Sequence, residues 1–431
     1  MKNLTRQISA IAFPAIISNI TTPLLAMIDV AIVGHFGAAA YIGAIAIGSS
    51  MFNMLYWLFG FLRMGSSGIT AQAYGAGDRA GADAHLYRSL MIAISVGILI
   101  LACSAPVASL ILPFMDADPS TAPLARQYFL IAVSGAPATL GTFALSGWFL
   151  GMQNSRAPMW MAITTNIVNI AASLTLVFSF DMRIEGVAIG SAIAQWCGFI
   201  YGLVTAFHRY RPRVPKPARL FNLAEIKRFF SVNTDIFLRT LCLVAVTIWF
   251  TRAGASQGVD ILAANALLLQ LFMFFSYFMD GFAFAGEALA GKFHGSKDKQ
   301  SLTKLIDRLT QAGVILAISF SLLYLLFGHD ILALLTDDTA VLDVCRRYRW
   351  WAIAIPIAGT MAFVWDGILI GLTRTRIMLC SMVISSAIFF GLYFVTISSL
   401  GNHGLWLSFL TYLAARGVFE LIFYKCSVKK H

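Results

Sequence analysis

Apolar residues run along this chain in long unbroken stretches, not in the two-residue alternation of a half-buried strand. From Ile8 to Val33 the single ionisable side chain is Asp29. Twelve such stretches are long enough to cross a bilayer as helices, which takes about 20 apolar residues. They predict helices over 8–34, 42–64, 88–112, 124–150, 158–180, 184–207, 227–254, 260–290, 304–327, 342–372, 376–399 and 402–424. The stretches are too long, and alternate too little, for the strands of a lipid-facing barrel.

Composition makes lipid the main solvent. The 431 residues are 59% hydrophobic and 12% charged, against about one quarter charged in a soluble domain. The six cysteines sit singly in apolar runs, without metal-ligand spacing, and read as small buried hydrophobes. The basic start "MKNLTRQISAIAFPAII" leads into an apolar run too long for a cleaved signal, so it reads as the first membrane helix. Lys and Arg then set orientation. Of 31 basic residues, 23 fall on the side of the N-terminus, including Arg209, Arg211, Arg213, Lys216 and Arg219 in one loop. Both termini are therefore expected in the cytoplasm, in an inner membrane. The exception is "CRRYRWW", which puts Arg346, Arg347 and Arg349 on the other side. The net charge of +11 describes this topology and implies no nucleic-acid partner, because the basic residues are spread over several short loops.

The chain repeats itself at a shift of 220 residues. "FALSGWFLGMQNSRAPM" (143–159) lies on "FVWDGILIGLTRTRIML" (363–379), and "YGAGD" (74–78) on "HGSKD" (294–298). Two six-helix lobes follow: 1–207, with the first six helices, and 227–431, with the last six. A basic linker, 208–226, contains Pro212, Pro215 and Pro217. Six is even, so the repeats are parallel and related by a pseudo-two-fold axis along the membrane normal. Transporters of that kind bind substrate between their halves and work by alternating access. The pairs Gly147/Gly151 and Gly367/Gly371 read as helix-packing notches.

Ionisable residues within the spans are Asp29, Asp235, Arg239, Asp280, Glu287, Asp366, Arg416 and Glu420. Each costs roughly 3 kcal/mol on insertion scales, so each is a functional candidate. Asp235 and Arg239, four apart, share a helix face and can pair. Glu287 lies near the cytoplasmic end, within reach of water. Asp235, Arg239, Asn265, Asp280 and Asp366 make up a second-lobe candidate substrate or cation site. Arg416 is available to neutralise one of the acids. In the first lobe Asp29 has no cationic partner. A buried carboxyl of that kind takes up a proton, and so can act as a switch. Pro14 and Pro23 weaken its helix; Pro14 is the candidate hinge. Asn166, Asn169 and Gln195 are the candidate helpers of Asp29.

These residues resemble the multidrug and toxic compound extrusion (MATE) family, and more closely its branch named for the DNA-damage-inducible F proteins. The resemblance rests on "AMIDVAIVGHFG" (26–37), "GITAQAYGAGD" (68–78), "GMQNSRAP" (151–158), "NTDIFLRT" (233–240), "AANALLLQ" (263–270), "DGFAFAGEALAGKFHGSKD" (280–298) and "WDGILIGLTRTRIM" (365–378). It covers essentially the whole chain. It implies an all-α integral membrane protein of twelve helices in the MATE fold. It implies export of small hydrophobic, often cationic, drugs against an inward proton or sodium flow, by a monomer in contact with membrane lipids. It also implies that Asp29 is the cation-coupling residue and Pro14 the bending point. Where similar proteins carry a fifth-helix aspartate, this chain has Ser173. That favours protons, with sodium as the alternative. No enzyme motif or cofactor site is expected. "GEALAGKF" (286–293) fits a phosphate loop only superficially: Phe293 follows the lysine, and the stretch ends a membrane helix. A lipid or lipid-linked cargo flippase of related architecture would be expected to line its cavity with basic residues, and the acids argue against it.

Overall fold

A computed structural model describes the backbone of residues 2–34, 39–115 and 121–429, and the side chains of 3–21, 41, 43–113 and 121–427. Helices α1 (Lys2–Gly34), α2 (Ala39–Leu58), α3 (Phe61–Gly75), α4 (Arg79–Ala102), α5 (Ser104–Ile111), α6 (Ala122–Ala132), α7 (Ala136–Gly151), α8 (Arg156–Phe178) and α9 (Ile184–Thr205) come first. After the short α10 (Pro217–Leu220) come α11 (Leu223–Ala255), α12 (Val259–Gly295), α13 (Lys299–Ala333), α14 (Thr339–Gly371), α15 (Thr375–Leu400) and α16 (Asn402–Lys429). Among the described residues there is no strand. Eleven segments there are long and apolar enough to cross a membrane. They follow the expected order of spans after the first.

The ends differ from the hydropathy reading. Helix α4 begins at Arg79, nine residues before the apolar run, and α13 at Lys299. A hydropathy window sees the part in lipid; the helix continues into water wherever a cap satisfies its first N–H groups. Here Asp78 caps α4 by accepting from the Gly81 N–H, and Asp298 caps α13 by accepting from Ser301, each at 2.9 Å. The second span is broken at Phe59–Gly60 into α2 and α3. Helix α13 turns Ile315, Ile318, Leu322, Leu325 and Leu326 outward, all about half or more exposed. In a helix built for lipid that stripe is the solvated face.

The chain forms two compact units, Phe13–Phe229 and Met1–Ala12 with Phe230–His431. Each repeats the other's internal geometry at the 220-residue shift. In the first, α7 lies so close to α3 that a Cβ on Gly147 would stand 2.2 Å from the Arg63 carbonyl oxygen. In the second, a Cβ on Gly367 would stand 2.3 Å from the Ala283 carbonyl oxygen. Gly151 and Gly371 repeat the pattern against Ser67 and Glu287. Only glycine allows backbones this near, which makes both pairs packing notches. The turns after these helices also match: Gln153 (φ 64°) answers Thr373 (φ 53°), and Gly77 (φ 71°) answers Lys297 (φ 59°).

Residues 208–226 are strapped to α4 within the first unit. Arg88, 3% exposed, donates to the carbonyls of Arg219 (3.1 Å) and Leu220 (3.2 Å). Asp83 accepts from the Arg213 N–H at 3.0 Å, and Arg219 pairs with Asp78 at 2.7 Å. Buried polar groups need such partners, and this strap supplies them.

Candidate functional site

In the first unit, α1 carries Asp29, whose side chain lies outside the described residues, as does that of Pro23. Pro14 is buried within α1; lacking an N–H, it removes one rung of the helical ladder. Asn166 on α8 donates to the Thr21 carbonyl of α1 at 3.1 Å. Asn169, one turn on, is 2% exposed and donates to Ser191 of α9 at 2.9 Å. Gln195 faces the turn before α7, where a Cβ on Gly135 would fall 1.9 Å from its Oε1. Of the three amides, Asn166 has a described contact with α1; the hydrogen bond of Asn169 and the packing of Gln195 are made elsewhere. Asn169 Oδ1 and Gln195 Oε1 are buried without a hydrogen-bond partner among the described residues. Ser173 is fully buried, and its Oγ would lie 2.5 Å from a Cβ on Gly190. Helix α9 therefore packs closely on it at Gly190, where only glycine fits.

The second unit gathers charges that the sequence leaves apart. Arg239 of α11 and Arg416 of α16 both donate to Asp366 Oδ2 of α14, Arg416 at 2.6 Å. Glu420, one turn beyond Arg416 and 1% exposed, lies beside Asp366 and Arg416. Two cations and two acids thus meet where three helices join. Each would be costly alone, and together they offset one another. The Tyr412 ring sits 5.7 Å from the Arg416 guanidinium, adding a cation–π contact. Asp366 Oδ1, Glu420 Oε2 and both arginine Nε atoms have no hydrogen-bond partner among the described residues.

Several expectations change here. Arg239 does not pair with Asp235. It reaches across to Asp366, while Asp235 accepts from the Thr375 hydroxyl at 2.9 Å. Spacing along one helix permits a pair, but a buried cation goes to the acid on the apposed face, where water is excluded. Asn265 is not an open ligand. It exchanges two 2.8 Å hydrogen bonds with Asn402, and its Oδ1 also accepts from the Trp406 indole at 2.9 Å. That saturates its carbonyl and clamps α12 to α16. Glu287 does not reach water: it is 1% exposed, at the level where α12 and α14 nearly touch. Asp280 stays half-buried on α12. Arg416, available in the sequence to neutralise one of the acids without a named partner, pairs with Asp366; for Glu420 the i,i+4 spacing from Arg416 is the one sequence sign that the two share a face.

Comparison with known proteins places this geometry. The MatE family model matches residues 14–175 and again 235–395. DNA damage-inducible protein F of Escherichia coli is 36% identical over 410 residues, covering 95% of this chain and 89% of that protein. A probable multidrug resistance protein NorM of Photorhabdus laumondii is 24% identical, covering 86% of this chain and 83% of that one. A crystal structure described as MATE in the bent conformation superposes with a TM-score of 0.88 at 15% identity, over 99% of this chain and 96% of that one. Because the family pattern occurs twice, once in each repeat, and the fold follows it throughout, this multi-pass membrane protein belongs to the MatE family.

Proposed function

We propose that this chain is a secondary antiporter that exports hydrophobic, often cationic, small molecules in exchange for protons, with Asp29 as the proton-carrying group. The observation that carries the reading is the hydrogen bond from Asn166 to the Thr21 carbonyl. It ties α8 to α1 eight residues before Asp29, roughly 12 Å along the helix axis. The tie falls between the carboxyl and Pro14, where α1 lacks a rung. Neutralising or charging Asp29 changes how well its half of α1 tolerates an apolar setting, and a proline-weakened helix is a bistable element through which that change can act. The names of relatives support drug export: NorM proteins of three bacteria are described as probable multidrug resistance proteins.

Protons rather than sodium are favoured by Ser173. Hard cations collect several oxygen ligands, carboxylates among them, and Ser173 offers a hydroxyl in place of a second carboxylate. In this reading the protein works as a monomer in the cytoplasmic membrane with both termini inside, as the charge asymmetry requires.

Everted vesicles under an imposed pH gradient test the proposal. Dye efflux is expected to follow the gradient, and Asp29→Asn to abolish it while the protein remains at its normal level in the membrane. Undiminished efflux in that variant would refute the role of Asp29. Efflux that ignores pH and tracks sodium would refute the proton.

A further inference from the structure

The arginines of "CRRYRWW" lie near the start of α14, at the opposite end of the second unit's helices from Lys292, Lys297, Arg374 and Lys425. Transport in the proposed form does not use them. Beneath them is a cavity of about 170 Å³ between α12, α13 and α14. Its depth is apolar: Leu268, Leu271, Leu332 and Ala352 line it, each 4% exposed or less. Its α13 side carries Leu325 and Leu326, 49% and 62% exposed, which belong to the outward apolar stripe. Its rim is polar and basic, formed by Arg346, Arg349 and His329. An apolar cavity of about 150 Å³ is enough to take up a benzene-sized molecule.

The two rim arginines are not equally committed. Arg346 is shared between Asp343 (3.3 Å) and the His329 ring (3.4 Å). Arg349 stacks on Trp350, 5.0 Å from the ring centre, and has no acid partner among the described residues. A guanidinium stacked on an aromatic ring keeps its donor edge free for a phosphate. Trp350 is itself 58% exposed, and tryptophan at a helix end sits at headgroup depth.

We propose that this groove binds one anionic phospholipid, its phosphate on Arg349 and Arg346 and part of one acyl chain in the cavity below. The occupant follows from charge and shape together. A basic rim calls for an anion, and an apolar cavity opening toward the lipid-facing stripe calls for a chain attached to it. This also accounts for basic residues at the end of the helices where the charge asymmetry disfavours them. The inference is independent of the transport reading.

The test is native mass spectrometry of the full-length protein in detergent, titrated with phosphatidylglycerol, with phosphatidylcholine of the same chains, and with glycerol phosphate alone. Each basic residue near an anionic surface contributes about fivefold in affinity. With Asp343 drawing on Arg346, the expected preference for phosphatidylglycerol over phosphatidylcholine is about tenfold. Arg346→Ala with Arg349→Ala, both exposed, should abolish that preference while leaving the size-exclusion profile unchanged. Glycerol phosphate alone should bind far more weakly. Equal binding of the two lipids, or an unchanged preference in the double variant, overturns the proposal. Glycerol phosphate binding as tightly as the lipid overturns the acyl-chain part and leaves a phosphate site only.

Discussion

Asp366→Asn puts the buried charge cluster under the sharpest strain. One oxygen, Oδ2, accepts from both Arg239 and Arg416, whose side chains are 8% and 5% exposed. Removing one partner of a buried pair costs about 3–5 kcal/mol, because the other charge stays desolvated. Two arginines lose their anion here, though the amide oxygen can still accept, and the cost should stay within that range and not double, because Glu420 stands beside Asp366 and Arg416. Glu420→Gln alone should cost about 1–3 kcal/mol, as for a charged group losing a partner. The double variant is the informative one. With both acids neutral, two buried guanidiniums face each other without an anion, so its cost should exceed the sum of the singles by about 1–3 kcal/mol. Reversible unfolding in mixed micelles, followed by tryptophan fluorescence or steric trapping, measures all three. If Asp366→Asn costs under about 1 kcal/mol, or the cycle is additive within about 0.5 kcal/mol, the acids do not share the arginines and the cluster is misread.

Gly147→Ala and Gly367→Ala should each destabilise by about 1–3 kcal/mol, since the new methyl meets a backbone carbonyl at 2.2 and 2.3 Å. Gly391→Ala, with nothing within 4 Å of its Cβ position, should be neutral or slightly stabilising; thermal unfolding of the three compares them directly. Arg88→Met removes the two buried bonds that Arg88 itself makes to the 208–226 segment, leaving those of Asp78 and Asp83, and limited trypsin digestion there should speed up; an unchanged rate would show that the strap holds without Arg88. The Ser301 hydroxyl and N–H, hydrogen-bonded to Asp298, hold that carboxyl below its usual range. The cap therefore stabilises at pH above about 4, the unfolded value, and loses that contribution as pH falls through the lower folded value. Exchange protection of the Ser301 amide, corrected for intrinsic rates, should fall over that acid window and become flat with pH in Asp298→Asn.

Much of the fold can be read along the chain, because hydropathy and length are one-dimensional quantities. Lipid demands about 20 apolar residues per pass, and twelve such stretches announce the class of protein and the order of its helices. The repeat is legible too, since the glycine notches and capped turns recur at a fixed shift: Asp78 and Asp298 cap their helices alike, and Gly147 and Gly367 meet the same carbonyl one repeat apart. What the sequence leaves open is the partner of each buried polar group. Arg239 has Asp235 four residues away and pairs with Asp366, 127 residues on. Asn265 looks like a ligand and is consumed by Asn402 and Trp406. Glu287 has its apparent access to water closed by α14. Those outcomes depend on which helix faces meet, and an apolar helix in lipid advertises no single face. Tertiary packing alone selects the face, and with it decides which charge is neutralised and by what.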